Sequence, residues 1–218
     1  MSVCSIQGDV FIEDDVLLEG LELEFLPGWT CLLGASGCGK STLLRLIGRL
    51  KTVAQLRGKV AAPQAIGWMA QDDLLLERFT VLENVRLLTH LTGTAISREN
   101  ALELLKAVAL EDKANHYPSE LSGGQRQRVA LARTLSDEAK IVLLDEPFSA
   151  LDPITRLSMQ KLAYETLRDR IVILVTHDPT EALRLGDQIL LVSNKKISRL
   201  KALDGQRPIP LCPSGSCI

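Results

Sequence analysis

Residues 34–42 read GASGCGKST and follow the apolar run TCLL without a break. Gly34, Gly37 and Gly39 let a backbone curl until its N–H groups face phosphate oxygens. Lys40 adds a positive charge for the β- and γ-phosphates, and the Ser41 hydroxyl suits a Mg²⁺ ion. The pattern G-x-x-x-x-G-K-[ST] carries this meaning only between a strand and a helix, and the flanks TCLL and TLLRLIGRL supply both. Gly34, Ala35, Ser36, Gly37, Cys38, Gly39, Lys40, Ser41 and Thr42 therefore form a candidate nucleotide loop.

A second group stands in IVLLDEP, residues 141–147. Four apolar residues bury a strand, and Asp145 and Glu146 emerge at its carboxyl end, where open α/β sheets bind ligands. Asp145 suits the Mg²⁺ shell, and Glu146 suits polarising a water aimed at a γ-phosphate. Alone, the pair would read as two solvated acids; a phosphate loop in the same chain favours the chemical reading. The third group is LSGGQ, residues 121–125. Ser122, Gly123, Gly124 and Gln125 stand at the mouth of a helix, where unpaired N–H groups and the positive dipole end make a seat for an anion. The chain thus offers two anion seats.

These groups need a framework. At 218 residues the chain has room for one large domain, or for one domain with a subdomain. Its first sixty residues read as strands around Val10, Leu21–Phe25 and Thr30–Leu33, broken at Pro27-Gly28; a further strand, AIGWMAQ, ends at Gln71. From about residue 80 the pattern turns helical. Thr80 and Glu83 have capping-box spacing before an apolar run to Leu91, Ser97 precedes the helical stretch RENALELLKAVAL, and the polar link EDKANHYPSE leads into LSGGQ. Beyond Asp137, strands IVLLDE, IVILVTH and QILLVSN alternate with helices starting at Pro153 and at Pro179, the latter ending at Leu185. Such alternation predicts an α/β fold with a mostly parallel sheet, into which a helical subdomain at about 75–135 is inserted. The expected domain spans 1–201. The tail 202–218, with Pro208, Pro210 and Pro213 and no periodicity, is expected to be extended or disordered.

Composition removes several classes of function. A net charge of −2 leaves no basic footprint for nucleic acid, and 4% aromatic residues make a poor stacking platform for single strands. The longest apolar runs, 141–144 and 171–175, fall short of the roughly 18 residues a membrane span needs. The stretch MSVCSIQGDV lacks the pattern of a secretory signal. Five cysteines, Cys4, Cys31, Cys38, Cys212 and Cys217, form no C-x-x-C pair, which argues against zinc or a disulfide framework and for a reducing, cytosolic compartment.

LSGGQ between a phosphate loop and a D-E strand end resembles the signature of the ATP-binding cassette (ABC) ATPases, and the likeness covers about residues 3–200. The resemblance implies a P-loop NTPase with an N-terminal antiparallel β subdomain. Gln71 resembles the glutamine of the family's Q-loop, which senses Mg²⁺ and nucleotide and links to a transmembrane partner. Asp152 in SALD resembles its D-loop, and His177 in LVTHD its switch histidine on the γ-phosphate. On this likeness the catalytic set is Glu146, His177 and Gln71, and the Mg²⁺ set is Ser41, Gln71 and Asp145. The family also implies a head-to-tail homodimer or pseudo-dimer, in which Ser122, Gly123, Gly124 and Gln125 of one copy cap the ATP held by residues 34–42 of the other. Two positions depart from the family's habit. Phe11 is the candidate for the aromatic that stacks on adenine, with a plain core phenylalanine as the alternative. Trp29 replaces the usual acidic residue before the phosphate-loop strand and is expected to pack against the β-rich edge.

EPFSALDPITR looks like bacterial importer ATPases for small organic solutes, and PGWTCLLGASGCGKSTLLRLIGRL with THDPTEALRLGD looks like those serving nitrate, sulfonate or thiamine-precursor pyrimidine uptake. That resemblance implies separate integral membrane permease subunits, indirectly a solute-binding protein, and a peripheral place on the cytoplasmic face of the plasma membrane. The alternatives are the ATPase of a multi-subunit exporter, a cytosolic assembly ATPase outside transport, and an ATP-gated clamp that does not hydrolyse. Members acting on chromosomes insert long coiled coils before the signature, and the 49 residues between Gln71 and Leu121 leave no room for one.

Overall fold

The computed structural model describes residues 4–87 and 96–200; the end of the expected helix to Leu91 and the tail 202–218 lie outside the described residues. The chain divides into two units, one made of 1–64 with 168–218 and the other of 65–167.

The first unit opens with β1 (Cys4–Ile12), β2 (Asp15–Phe25) and β3 (Gly28–Leu33), continues through α1 (Lys40–Ile47) and β4 (Ala54–Ala61), and resumes after the second unit. Strands β2, β1 and β4 make an antiparallel sheet in that order. In β1 the residues Cys4, Ile6 and Val10 are fully buried, the alternation of a half-buried strand. Phe11 falls in the other half of that alternation. Strand β4 was not legible in the sequence, because Arg57, Gly58 and Lys59 interrupt its apolar pattern.

The same unit holds β7 (Ile171–Thr176), α6 (Pro179–Leu185), β8 (Gln188–Ser193) and β9 (Lys196–Arg199). Strand β3 pairs in parallel with β7 and with β8, and β9, also unforeseen, closes antiparallel on β8. All six residues of β7 are buried, as a strand covered on both faces requires. Trp29 belongs here. It lies inside β3, opposite Val172 and 1% exposed, so it is a core residue of the parallel strands and not a packing group in a turn. Helix α1 buries Lys40, Leu43, Leu44 and Ile47, one face at i, i+3, i+4 and i+7, and packs on β4 and β7.

The second unit pairs β5 (Gly67–Met69) in parallel with β6 (Ile141–Asp145) and carries α2 (Val81–Val85), α3 (Arg98–Ala107), α4 (Gly123–Leu135) and α5 (Pro153–Leu167). Strand β5 stops two residues before Gln71, shorter than the sequence suggests. Helix α3 also stops early, because Ala109 takes a left-handed backbone with φ 54°. The two predicted helix starts hold. Thr80 and Glu83 close a reciprocal capping box, and Ser97 Oγ accepts from Asn100 N at 3.0 Å. The polar link contains two single 3₁₀ turns, Glu111–Lys113 and Pro118–Glu120. Among the described residues no helix is long and apolar enough to cross a membrane.

Candidate active site

In the first unit, the phosphate loop leaves β3 at Leu33 and enters α1 at Lys40. Leu33 is in register with Thr176, so the loop and His177 emerge at the same carboxyl end of the parallel pair β3–β7. The turn into α1 is made by Gly39, whose φ of 103° suits a residue without Cβ and whose side-chain position is crowded by Leu17 at 3.2 Å. As the N-cap of α1, Gly39 offers no side-chain acceptor to the first helical N–H groups. Those donors and the dipole end fit an anion. Lys40 is 4% exposed, and its Nζ donates to Gly34 O at 2.8 Å and to Ala35 O at 2.7 Å. A buried ammonium with no carboxylate in these bonds, set inside a curled loop of N–H donors, has the chemistry of a polyphosphate cradle. Ser41, Thr42 and Cys38 are half-buried, and Ala35, Ser36 and Gly37 are exposed around that cradle.

His177 is exposed, and the backbone on either side of it is tied down. Asp178 N donates to Thr176 Oγ1 at 3.0 Å, and Asp178 Oδ1 accepts from Thr180 N at 2.8 Å as the cap of α6. Phe11, in β1, carries the Arg57 guanidinium over its ring at 4.2 Å. One face of the candidate adenine platform is thus covered by a cation, which the sequence could not reveal.

In the second unit, Met69 is in register with Leu144, so Gln71 and the pair Asp145–Glu146 leave the same carboxyl end of β5–β6. Asp145 is 1% exposed, while Gln71 is exposed. Glu146 has a left-handed backbone, φ 48°, a conformation that costs any residue carrying a Cβ. Among the described residues no group of three or more His, Cys, Asp or Glu is assembled to hold a metal. Ser41 in the first unit and Gln71 and Asp145 in this one are the oxygen-bearing candidates for a Mg²⁺ ion.

Helix α4 opens as LSGGQ predicts. Ser122 Oγ accepts from Gln125 N at 3.3 Å, and Gln125 Oε1 accepts from Ser122 N at 2.8 Å. This box occupies the donors of Ser122 and Gln125 and leaves those of Gly123 and Gly124 as the first-turn N–H groups for an anion. The two glycines differ in what their surroundings demand. A Cβ on Gly124 would lie 3.1 Å from Ala150 O, whereas one on Gly123 would meet nothing within 4 Å. Among the described residues nothing asks for glycine at 123. Asp152 caps α5, its Oδ1 accepting from Ile154 N and Thr155 N, both at 3.1 Å.

The arginines of α4 bind groups of their own unit. Arg126 Nε pairs with Asp73 Oδ2 at 2.9 Å, and Arg133 donates to the carbonyls of Asp73 and Leu74 at 2.7 and 2.8 Å. Arg128 donates to Val108 O at 2.7 Å, at the end of α3. The segment just after Gln71 is thereby fastened to the helix that begins with the signature. Gln127, absent from the sequence-derived candidates, reaches the turn after β6 and is taken up below.

The sequence model of the family described as "ABC transporter" matches residues 18–149. The chain is 47% identical over 181 residues to an uncharacterized ABC transporter ATP-binding protein of Haemophilus influenzae, covering 81% of this chain and 75% of that one. It is 46% identical to the aliphatic sulfonates import ATP-binding protein SsuB 1 of Rhodococcus jostii, covering 89% and 80%. Among solved structures, the dimeric structure of MJ0796, a bacterial ABC transporter cassette, superposes with a TM-score of 0.79 at 30% identity over 93% of this chain and 100% of that one. Phosphate loop, signature turn and D-E strand end stand in a fold with an antiparallel sheet and a helical insertion, and the chain belongs to the ABC transporter family as an ATP-hydrolysing ATP-binding subunit.

Proposed function

We propose that the chain energises uptake of a small organic solute through separate permease subunits, working as a head-to-tail dimer closed by ATP. The observation that carries the dimer is Gly123, a glycine that the chain's own packing does not require, standing at the open mouth of α4. Its lack of a side chain has a purpose if a phosphate on a second copy comes against that backbone. Uptake, with a sulfonate as the leading solute class, is supported by the likeness to a sulfonate import ATPase. Placement on the cytoplasmic face of a membrane, and any solute-binding protein, follow from the same reading.

The roles divide by residue. The loop N–H groups of 34–42 and Lys40 would bind the β- and γ-phosphates, and Ser41, Asp145 and Gln71 are the residues that would hold Mg²⁺. Bound Mg²⁺ supplies neutralisation of the charge that develops on the phosphates. Glu146 accepts a hydrogen bond from the attacking water and orients it, and His177 donates to the γ-phosphate oxygens. Ser122, Gly123, Gly124 and Gln125 present the helix mouth to the partner's nucleotide, Asp152 keeps the adjoining turn in shape, and Phe11 lies against the adenine.

The test is ATP-driven dimerisation of the purified chain, read by size-exclusion with light scattering. Glu146→Gln removes the water-orienting carboxylate and is expected to accumulate dimer in ATP while phosphate release stops. Adding Gly123→Ala to it is expected to return the chain to monomer, with the fold intact because a Cβ there has room. A dimer undiminished by Gly123→Ala would overturn the signature's role, and full turnover in Glu146→Gln would remove Glu146 from the chemistry.

A further inference from the structure

Gln127 lies inside α4 and is 5% exposed. Its side chain leaves the helix and spans the turn that follows β6. Gln127 Nε2 donates to the carbonyl of Glu146 and to Ser149 Oγ, each at 3.3 Å, while Gln127 Oε1 accepts from Ala150 N at 2.9 Å. Ser149 Oγ donates to the same Glu146 carbonyl at 3.0 Å. Both ends of one buried amide are thus committed to residues 146–150, and the Glu146 carbonyl, which also accepts from Ser149 N at 3.3 Å, is reached by three donors. A non-glycine residue keeps a left-handed backbone only where its surroundings over-determine it. Glu146, at φ 48°, is held by this grip. The backbone approach is close as well, since a Cβ on Gly124 would come within 3.1 Å of Ala150 O.

We infer that Gln127 is a positioning residue for Glu146. It fixes the backbone from which the carboxylate projects, and it links that backbone to the helix whose first turn seats the partner's phosphate. A rigid element shared by the anion seat and the water-orienting acid keeps the two in register, so that the acid is in place when the seat is filled. This rests on the reading of Glu146 as the water-orienting base and names the residue that aims it.

Gln127→Glu has nearly the same shape and keeps the acceptor for Ala150 N, but as a carboxylate it cannot donate to Glu146 O or Ser149 Oγ. In the purified full chain, kcat for ATP hydrolysis is expected to fall about tenfold, while KM changes less than about twofold. In the Glu146→Gln background, the same substitution is expected to leave ATP-driven dimer formation as it was. Ser149→Ala, a milder change, removes the hydroxyl donor to the Glu146 carbonyl and keeps the backbone one. It is expected to lower kcat about threefold, with an effect on kcat that does not simply add to that of Gln127→Glu. A folded Gln127→Glu protein with unchanged kcat overturns the inference. So does loss of the dimer in the Glu146→Gln background, which would place Gln127 in service of the anion seat alone. Should Gln127→Glu not fold, Ser149→Ala with unchanged kcat decides against it. A wild-type chain that releases no phosphate from ATP would instead retire the reading of Glu146 beneath it.

Discussion

Glu146 occupies a backbone conformation that a glycine would adopt without strain, and the chain keeps a glutamate there. For an L-residue other than glycine, the left-handed region costs about 1 kcal/mol. Alanine suffers that cost as glutamate does, whereas glycine does not. Glu146→Gly should therefore be more stable than Glu146→Ala by about 1 kcal/mol in denaturant unfolding, while both fail to hydrolyse ATP. If the alanine variant equals or exceeds the glycine variant, the backbone at 146 is not strained. Lys40 makes the complementary point, because it is buried and its Nζ donates to the carbonyls of its own loop.

Helix α4 is where the element scale matters. Its first turn is an anion seat, its arginines hold the carbonyls of Asp73, Leu74 and Val108, and Gln127 holds the turn after β6. Burial makes these bonds obligatory. Desolvation lowers the Arg133 pKa, Asp73 opposes that shift, and an unmet carbonyl or guanidinium in such a place is costly. Helix α5 offers a test through pH. Hydrogen bonds from Thr155, its side chain first and its N–H next, hold the Asp152 carboxyl below its usual range. The folded pKa is thus the lower one, and the unfolded chain binds more protons through the window between the two. The contribution of the ionised cap is fully present above the unfolded value, about 3.9, and is lost as pH falls through the folded value. Asp152→Asn keeps a side-chain acceptor at the cap and does not titrate. Thermal scans from pH 7 down to 3 should show the wild type's advantage over Asp152→Asn shrinking below about pH 4. An advantage that is constant across that range would show that the ionised form is not what the cap uses.

At the scale of the whole molecule, a family of transporters meets a chain in which no described helix can cross a membrane. The likeness to a sulfonate import ATPase supports pairing with permease subunits. The segment fastened by Arg126 and Arg133 leaves Leu74 and Leu76 exposed, at 57% and 43%, beside Gln71. Tagged chain drawn from its own cells in mild detergent is expected to bring down a multi-span membrane subunit, and the double change Leu74→Asp, Leu76→Asp is expected to release it while leaving ATP binding intact. Recovery of soluble partners alone would overturn the transport reading and leave the ATP chemistry standing.

The phosphate loop, the D-E strand end, the signature mouth, the capping box at Thr80, the helix start at Ser97 and the alternation of buried strands could all be read along the chain. Each depends on residues near one another along the chain, so spacing suffices to read it. Strands β4 and β9 escaped because their polar residues follow no simple period, and the early stop of α3 depends on one left-handed residue. Only the tertiary structure decided that Gln127 grips the Glu146 turn, that Arg133 reaches the carbonyls after Gln71, and that Arg57 covers Phe11. Those partners are separated by 19, 60 and 46 positions, and no local pattern records a hydrogen bond made across such distances. The reason is physical. Local chemistry sets which groups a segment offers, and packing alone sets which buried donor finds which acceptor.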